Sequence, residues 1–193
     1  MAEMTSYEAD MLERTPRRRT QAAAIRTLVL AACLAAAGCG ASEPASPADV
    51  AARLYRTLFE ERVTGAPTRD QLRRLEPFLS DTLRALLAAA DRMREADLRH
   101  YPDQKPSFAE GDLFSSLFEW PSSFRVAEEQ PGEPYRVRML FTYNFEGVST
   151  SWFDDLVLIQ ERGRWVIDDI EYGGEWGFAA QGSLRSNLEL AVR

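Results

Sequence analysis

The chain has 193 residues, 45% of them hydrophobic, with 30 acidic side chains against 23 basic ones, one His and two Cys. A net charge of −7 argues against a nucleic-acid partner, whose phosphates need a basic face. One His and two Cys leave little material for triads, dyads or zinc sites. No Gly-x-Ser-x-Gly, HExxH, phosphate loop or dinucleotide fingerprint occurs, so no cofactor or metal is expected.

Residues 1–38 read as an export signal. Arg14, Arg17, Arg18, Arg19 and Arg26 form a basic region, and Ala22 to Ala37 is an apolar run too short to span a bilayer comfortably. Met11 is an alternative start, because Met1 to Asp10 adds acidic residues untypical of such a region. The run ends in Ala36-Ala37-Gly38-Cys39, which resembles the bacterial lipobox with Ala36 in place of the commoner Leu. That resemblance implies a diacylglycerol thioether on Cys39, removal of the signal, and fatty acylation (palmitate) of the new amino terminus. The alternative is an ordinary signal peptide cleaved nearby, with Cys39 incidental. Several acyl chains on one residue anchor stably where a single chain does not. The bilayer is then the first expected partner. Gly40 rather than Asp after Cys39 is compatible with an outer-membrane location facing the periplasm in a Gram-negative source.

With Cys33 removed and Cys39 lipidated, the mature chain keeps no free thiol. It carries 18 basic against 26 acidic residues, a net charge of −8, so its surface is not expected to grip anionic lipid. Residues 39–48 form a lipidated tether, polar and Pro-rich from Gly40 to Ala48. Residues 49–193 suit one α+β domain with one core.

Pro47-Ala48-Asp49 opens a helix to about Val63, with Val50, Leu54, Leu58 and Phe59 on its apolar side. Thr68 N-caps a short helix carrying Leu72 and Leu75, and Ser80-Asp81 starts a third that runs to about Arg99. His100 follows it as a solvated capping residue. Ser107 to Ser123 holds too many large apolar groups for a free loop, so short helical turns are expected there. Asp112 starts that turn; Phe114, Leu117, Phe118 and Trp120 plug a sheet end or form a docking ridge.

Three strand segments follow: Phe124–Glu129, Pro134–Phe145, and a hairpin from Ser151 to Gly174 expected at the middle of the sheet. In the second, Tyr135, Val137, Met139, Phe141, Tyr143 and Phe145 alternate with Arg136, Arg138, Leu140, Thr142 and Asn144. The hairpin turns at Arg162-Gly163, where Gly163 is free to take positive φ. Ser183 caps a last short helix. Helices first and antiparallel strands second make an α+β fold, with three N-terminal helices packed on one face of a curved sheet.

Several strings add to this reading: Val50-Ala51 to Tyr55, Leu75-Glu76-Pro77-Phe78-Leu79-Ser80-Asp81, and Asp112-Leu113-Phe114-Ser115-Ser116. Leu158-Ile159-Gln160, Trp165-Val166-Ile167-Asp168-Asp169-Ile170-x-Tyr172 and Gly182-Ser183-Leu184-Arg185 follow in order. The chain thereby resembles a family of bacterial envelope lipoproteins classed as domain of unknown function 3828. The resemblance covers nearly all of the mature domain. It implies a nuclear-transport-factor-2-like cone, three helices wrapped by a bent sheet, and brings no catalytic residues.

A hairpin centred on Arg162-Gly163 pairs Asp154 with Glu171 and gathers Asp154, Asp169 and Glu171 on one face. Two readings stand. One is a functional carboxylate cluster in the cone, a cation site or a proton acceptor, with the Tyr55 hydroxyl beside it. The other is an ion network neutralised by Arg136 and Arg138, with Asp168 or Asp169 accepting backbone N–H groups and Tyr55 a core-edge tyrosine. A register shift of one residue scatters the cluster. The expected function is a non-enzymatic domain that binds or supports another envelope protein. The alternative is a small-ligand binder or carboxylate-dependent enzyme, which requires an open polar pocket. A toxin-neutralising role is a third reading that no residue singles out.

Overall fold

The computed structural model describes residues 45–192. Cys39, the signal segment and most of the tether lie outside them. Helix α1 (Pro47–Glu61) starts at Ser46, whose side chain accepts from the Asp49 N–H while Asp49 reaches back to the Ser46 N–H. This capping box satisfies two of the donors that every helix start leaves open. Helix α2 (Arg69–Leu75) repeats the device with Thr68 and Gln71, and a 3₁₀ turn follows at Glu76–Phe78. Helix α3 (Asp81–His100) begins at Ser80, and His100 is its exposed last residue.

Four strands follow: β1 (Ser123–Gln130), β2 (Tyr135–Phe145), β3 (Val148–Glu161) and β4 (Arg164–Glu171). They form one antiparallel sheet in the order β1-β2-β3-β4. Helix α4 (Leu184–Ala191) closes the chain from a Ser183 cap. The fold is α+β. Leu54, Leu58, Leu83, Leu87, Leu184 and Leu188 of the helices share one buried cluster with Val137, Met139, Phe141, Leu156 and Ile167 of the sheet. Burying each such side chain stabilises by about 1.5–3 kcal/mol before entropy is counted.

Three features differ from the sequence expectation. First, the hairpin is not central. β3 is internal but β4 is the edge, and its free side is occupied instead by a parallel bridge from Leu79 to Ile167 and an antiparallel one from Ser183 to Glu171. These short bridges cover an edge that would otherwise present unpaired backbone. Second, β3 begins at Val148, not Ser151. The two-residue turn Glu146-Gly147, with φ of 49° and 83°, pairs Phe145 with Val148, and exposure of Val148 to Ser151 hides the strand from any burial pattern. Third, residues 107–122 form an irregular loop rather than helical turns, yet Phe114, Ser115, Ser116 and Leu117 are buried in it.

The turn at Arg162-Gly163 occurs as expected, with φ of 52° and 76°. The register holds from Glu161↔Arg164 to Leu158↔Ile167, then slips by one, so that Val157 faces Asp169 and Asp155 faces Glu171. Asp168 is the extra residue of a β-bulge. Ile167 and Ile170 lie three positions apart and would point to opposite faces of a regular strand. The bulge lets both enter the core.

Candidate functional site

The bulge separates the expected carboxylate cluster. Asp154 points inward beside Trp152 and Leu156, while Glu171 and Asp169 sit opposite the outward residues Asp155 and Val157. On the outer face the Arg136 guanidinium clamps Glu171 with two bonds of 3.1 and 2.9 Å. Arg138 clamps Asp155 with two of 2.8 Å and lies 5.9 Å from the centre of the Phe153 ring. Arg136 and Arg138 therefore each pair with one acid on this face, and Asp155 takes the place foreseen for Asp154. These pairs are partly solvated and contribute little each.

Asp168 and Asp169 act as latches. The Ser80 hydroxyl donates to Asp168 at 2.7 Å, and Arg185 forms an ion pair with its other oxygen. The Asp169 carboxylate accepts from the Arg185 N–H at 2.8 Å and the Ile170 N–H at 2.7 Å. The bulge carboxylates thus tie α3 and α4 to β4. An acid near the start of α4 also complements the helix dipole.

Asp154 is the most deeply buried acid among the described residues, at 1% exposure. Its carboxylate accepts from the backbone N–H groups of Ser116 and Gly173, each at 2.9 Å, and from the Trp152 indole Nε1–H at 3.1 Å. The Ser116 hydroxyl donates to it as well. Burial pushes this carboxyl above its ordinary pKa, and the Gly173, Ser116 and Trp152 donors oppose that rise.

Around it, the loop Asp112–Ser116 is fastened from outside at Leu113, Phe114 and Ser116 and braced internally at Asp112. The Tyr55 hydroxyl donates to the Phe114 carbonyl at 2.6 Å, and the Tyr172 hydroxyl donates to the Leu113 carbonyl at 2.6 Å. Asp112 accepts from the Phe114 N–H at 2.7 Å, and the Gly174 N–H donates to the Ser116 hydroxyl at 2.9 Å. Burial raises the Asp112 carboxyl to about 7 against the pull of the Phe114 and Ser115 donors. Burial raises both tyrosines too, with Asp154 and Asp112 adding repulsion.

Tyr55 does lie near acids, but its proton is committed to a backbone carbonyl. Four donors occupy the lone-pair positions of Asp154, so it cannot take up a substrate proton without breaking the loop's attachment. Four of the surface cavities among the described residues are lined without Asp154, Asp168 or Asp169. Among the described residues no group of three His, Cys, Asp or Glu side chains is placed to hold a metal ion. No helix among them is long and apolar enough to cross a membrane.

The sequence reading did not single out Ser116, Tyr172 or Asp155. The signal for the first two was available: Asp112–Ser116 and Tyr172 belong to the strings that carried the family resemblance. The surplus of large apolar groups from Phe108 to Trp120 also marked a loop that packs inward.

No family model matches the chain, and no solved structure matches it. The chain is, however, similar to the uncharacterised lipoprotein YbjP of Escherichia coli (strain K12). The two are 33% identical over 117 residues, which is 60% of this chain and 63% of that relative's length, just under two thirds of it.

Proposed function

We propose that this protein is a bacterial envelope lipoprotein, anchored by a lipidated Cys39, whose domain serves as a non-enzymatic binding or accessory module for another envelope protein. Outer-membrane sorting, membership of the domain-of-unknown-function 3828 family and a nuclear-transport-factor-2-like cone belong to the same reading. The anchor is supported by the Ala36-Ala37-Gly38-Cys39 ending and by similarity to a relative named a lipoprotein. The family and cone are supported by the order of the quoted strings and of helices before a sheet.

One observation carries the choice of binding over catalysis. The interior acid, Asp154, is sealed by four donors, and the tyrosines beside it hold backbone carbonyls. A catalytic base needs a free lone pair within reach of substrate. Here the polar interior is spent on fastening a loop.

Two measurements test this. Mass spectrometry of the amino-terminal peptide from the full chain should find Cys39 diacylated and N-acylated, and Cys39→Ser should release the protein from membranes. Cross-linking the lipidated protein in its own envelope should recover a specific protein partner. An unmodified Cys39, or a substrate turned over by wild type and lost in Asp154→Asn but not in a destabilised control variant, would overturn the reading.

A further inference from the structure

The end of the β2–β3 hairpin forms, with two loops, an apolar groove of about 690 Å³. Leu117, Tyr143, Phe145, Val148, Trp176 and Phe178 line it, and Glu119 and Glu146 stand among them. Phe145 is 58% exposed, Val148 67% and Phe178 75%. Next to it Phe118 is also exposed. A contiguous set of solvated aromatic side chains marks an interaction site rather than scattered surface apolarity.

We propose that this groove docks an apolar, positively charged segment of a partner protein, such as an amphipathic stretch with Lys or Arg beside its apolar residues. The lining residues fall at 117–119, 143–150 and 176–178, and none of these stretches contains a Lys or Arg. Glu119 and Glu146 make no ion pair among the described residues, and Glu175 adds a third exposed acid beside Trp176. Charge complementarity therefore selects a cationic occupant and disfavours anionic lipid headgroups.

Position points the same way. The described chain begins at Ala45 and Ser46, beside Gly163 and Arg164 of the β3–β4 turn. Val148 in the groove is the opposite end of β3, 14 residues long, on the order of 40 Å away at the rise of a strand. A domain tethered at one end of this strand presents the aromatic groove at the other. This deepens the accessory-domain reading and, in its choice of a protein over a membrane, rests on it.

The test uses the full-length lipidated protein in neutral detergent with two amphipathic peptides of equal length, one of Leu and Lys, the other of Leu and Glu. The Leu/Lys peptide should bind at least about tenfold more tightly, and added salt should weaken it. Phe145→Ser combined with Phe178→Ser should abolish binding without disturbing the fold, since both side chains are mostly solvated. Glu119→Gln combined with Glu146→Gln should remove most of the preference for Lys. Equal affinity for the two peptides, or binding untouched by the double serine variant, would overturn the proposal. So would phosphatidylglycerol vesicles, or a second copy of this chain, binding through the same phenylalanines.

Envelope capture separates the two levels. A partner retained by the double serine variant defeats the groove and leaves the accessory-domain reading intact. A wild-type protein that captures no partner defeats that reading, while the peptide comparison still decides the groove.

Discussion

Asp154 and Ser116, 38 residues apart, meet twice: one carboxylate oxygen takes the Ser116 N–H at 2.9 Å and the other takes its hydroxyl. Through this double contact the second buried residue of β3 holds a loop that has no secondary structure of its own. The Tyr55 and Tyr172 hydroxyls fasten the same loop from α1 and from the end of β4. The polar interior is therefore a clamp, and stability rather than turnover should report its loss.

Asp154→Asn keeps the size of the side chain but replaces one acceptor by a donor that faces other donors. Two or more of the Ser116, Gly173 and Trp152 groups lose a partner while still buried. At about 1–3 kcal/mol for each unsatisfied buried group, a loss of at least ~2 kcal/mol is expected in urea unfolding. Tyr172→Phe, which strands only the Leu113 carbonyl, should cost less, about 1–2 kcal/mol.

Asp112 makes stability depend on pH. Its folded pKa is raised from 3.8 to about 7, so the folded state holds a proton that the unfolded chain releases at lower pH. The contribution is complete below the unfolded value and is lost as pH rises through the folded one. Unfolding free energy should fall between about pH 4 and 7 by up to ~4 kcal/mol, at about 1.4 kcal/mol per pKa unit. Asp112→Asn keeps an acceptor for the Phe114 N–H and cannot ionise, so urea titrations across that range should show a flatter profile.

Gly65 lies where α1 meets the loop, with φ of 63°, and its N–H donates to the Gly111 carbonyl at 2.7 Å. A Cβ there would stand 2.0 Å from the Phe108 carbonyl oxygen, which is backbone and cannot swing aside. Gly65→Ala combines left-handed strain of about 1–2 kcal/mol with this clash. A fall in midpoint equivalent to at least ~2 kcal/mol is expected. Gly163→Ala should be milder, since nothing lies within 4 Å of its Cβ position and only the strain remains.

The outer ion pairs are expected to matter least. Arg136→Gln and Arg138→Gln each remove a two-bond contact, but with at least one partner of each pair about a third exposed or more. Each should cost under about 1 kcal/mol, and the loss should shrink further in high salt. A larger loss, or loss of partner capture, would assign this face a role that its geometry does not.

Much of the architecture follows from neighbours along the chain. Thr68, Ser80 and Ser183 cap their helices because a short hydroxyl side chain reaches the N–H three residues on, whatever lies elsewhere. The Arg162-Gly163 turn and the alternation of β2 are likewise local, as is the sorting of helices before strands. The signal and lipobox reading of residues 1–39 rests on sequence alone, outside the described residues.

Which acid goes inside was not decided locally. Asp154, Asp155, Asp168 and Asp169 occur as two adjacent pairs; alternation places Asp154 inward and Asp155 outward, whereas neither acid of the second pair enters the core. The choice fell to the demand of Ile167 and Ile170 for the same core, which expels Asp168 into a bulge and shifts the register beyond it by one. That single slip puts Glu171 with Arg136 and leaves Asp154 to Ser116. Residues 107–122 carry no periodicity, and their order comes from tyrosines and an acid brought from 38 to 59 residues away. Such contacts exist only once the sheet has closed against the helices, because no local interaction can hold so long a loop against its entropy.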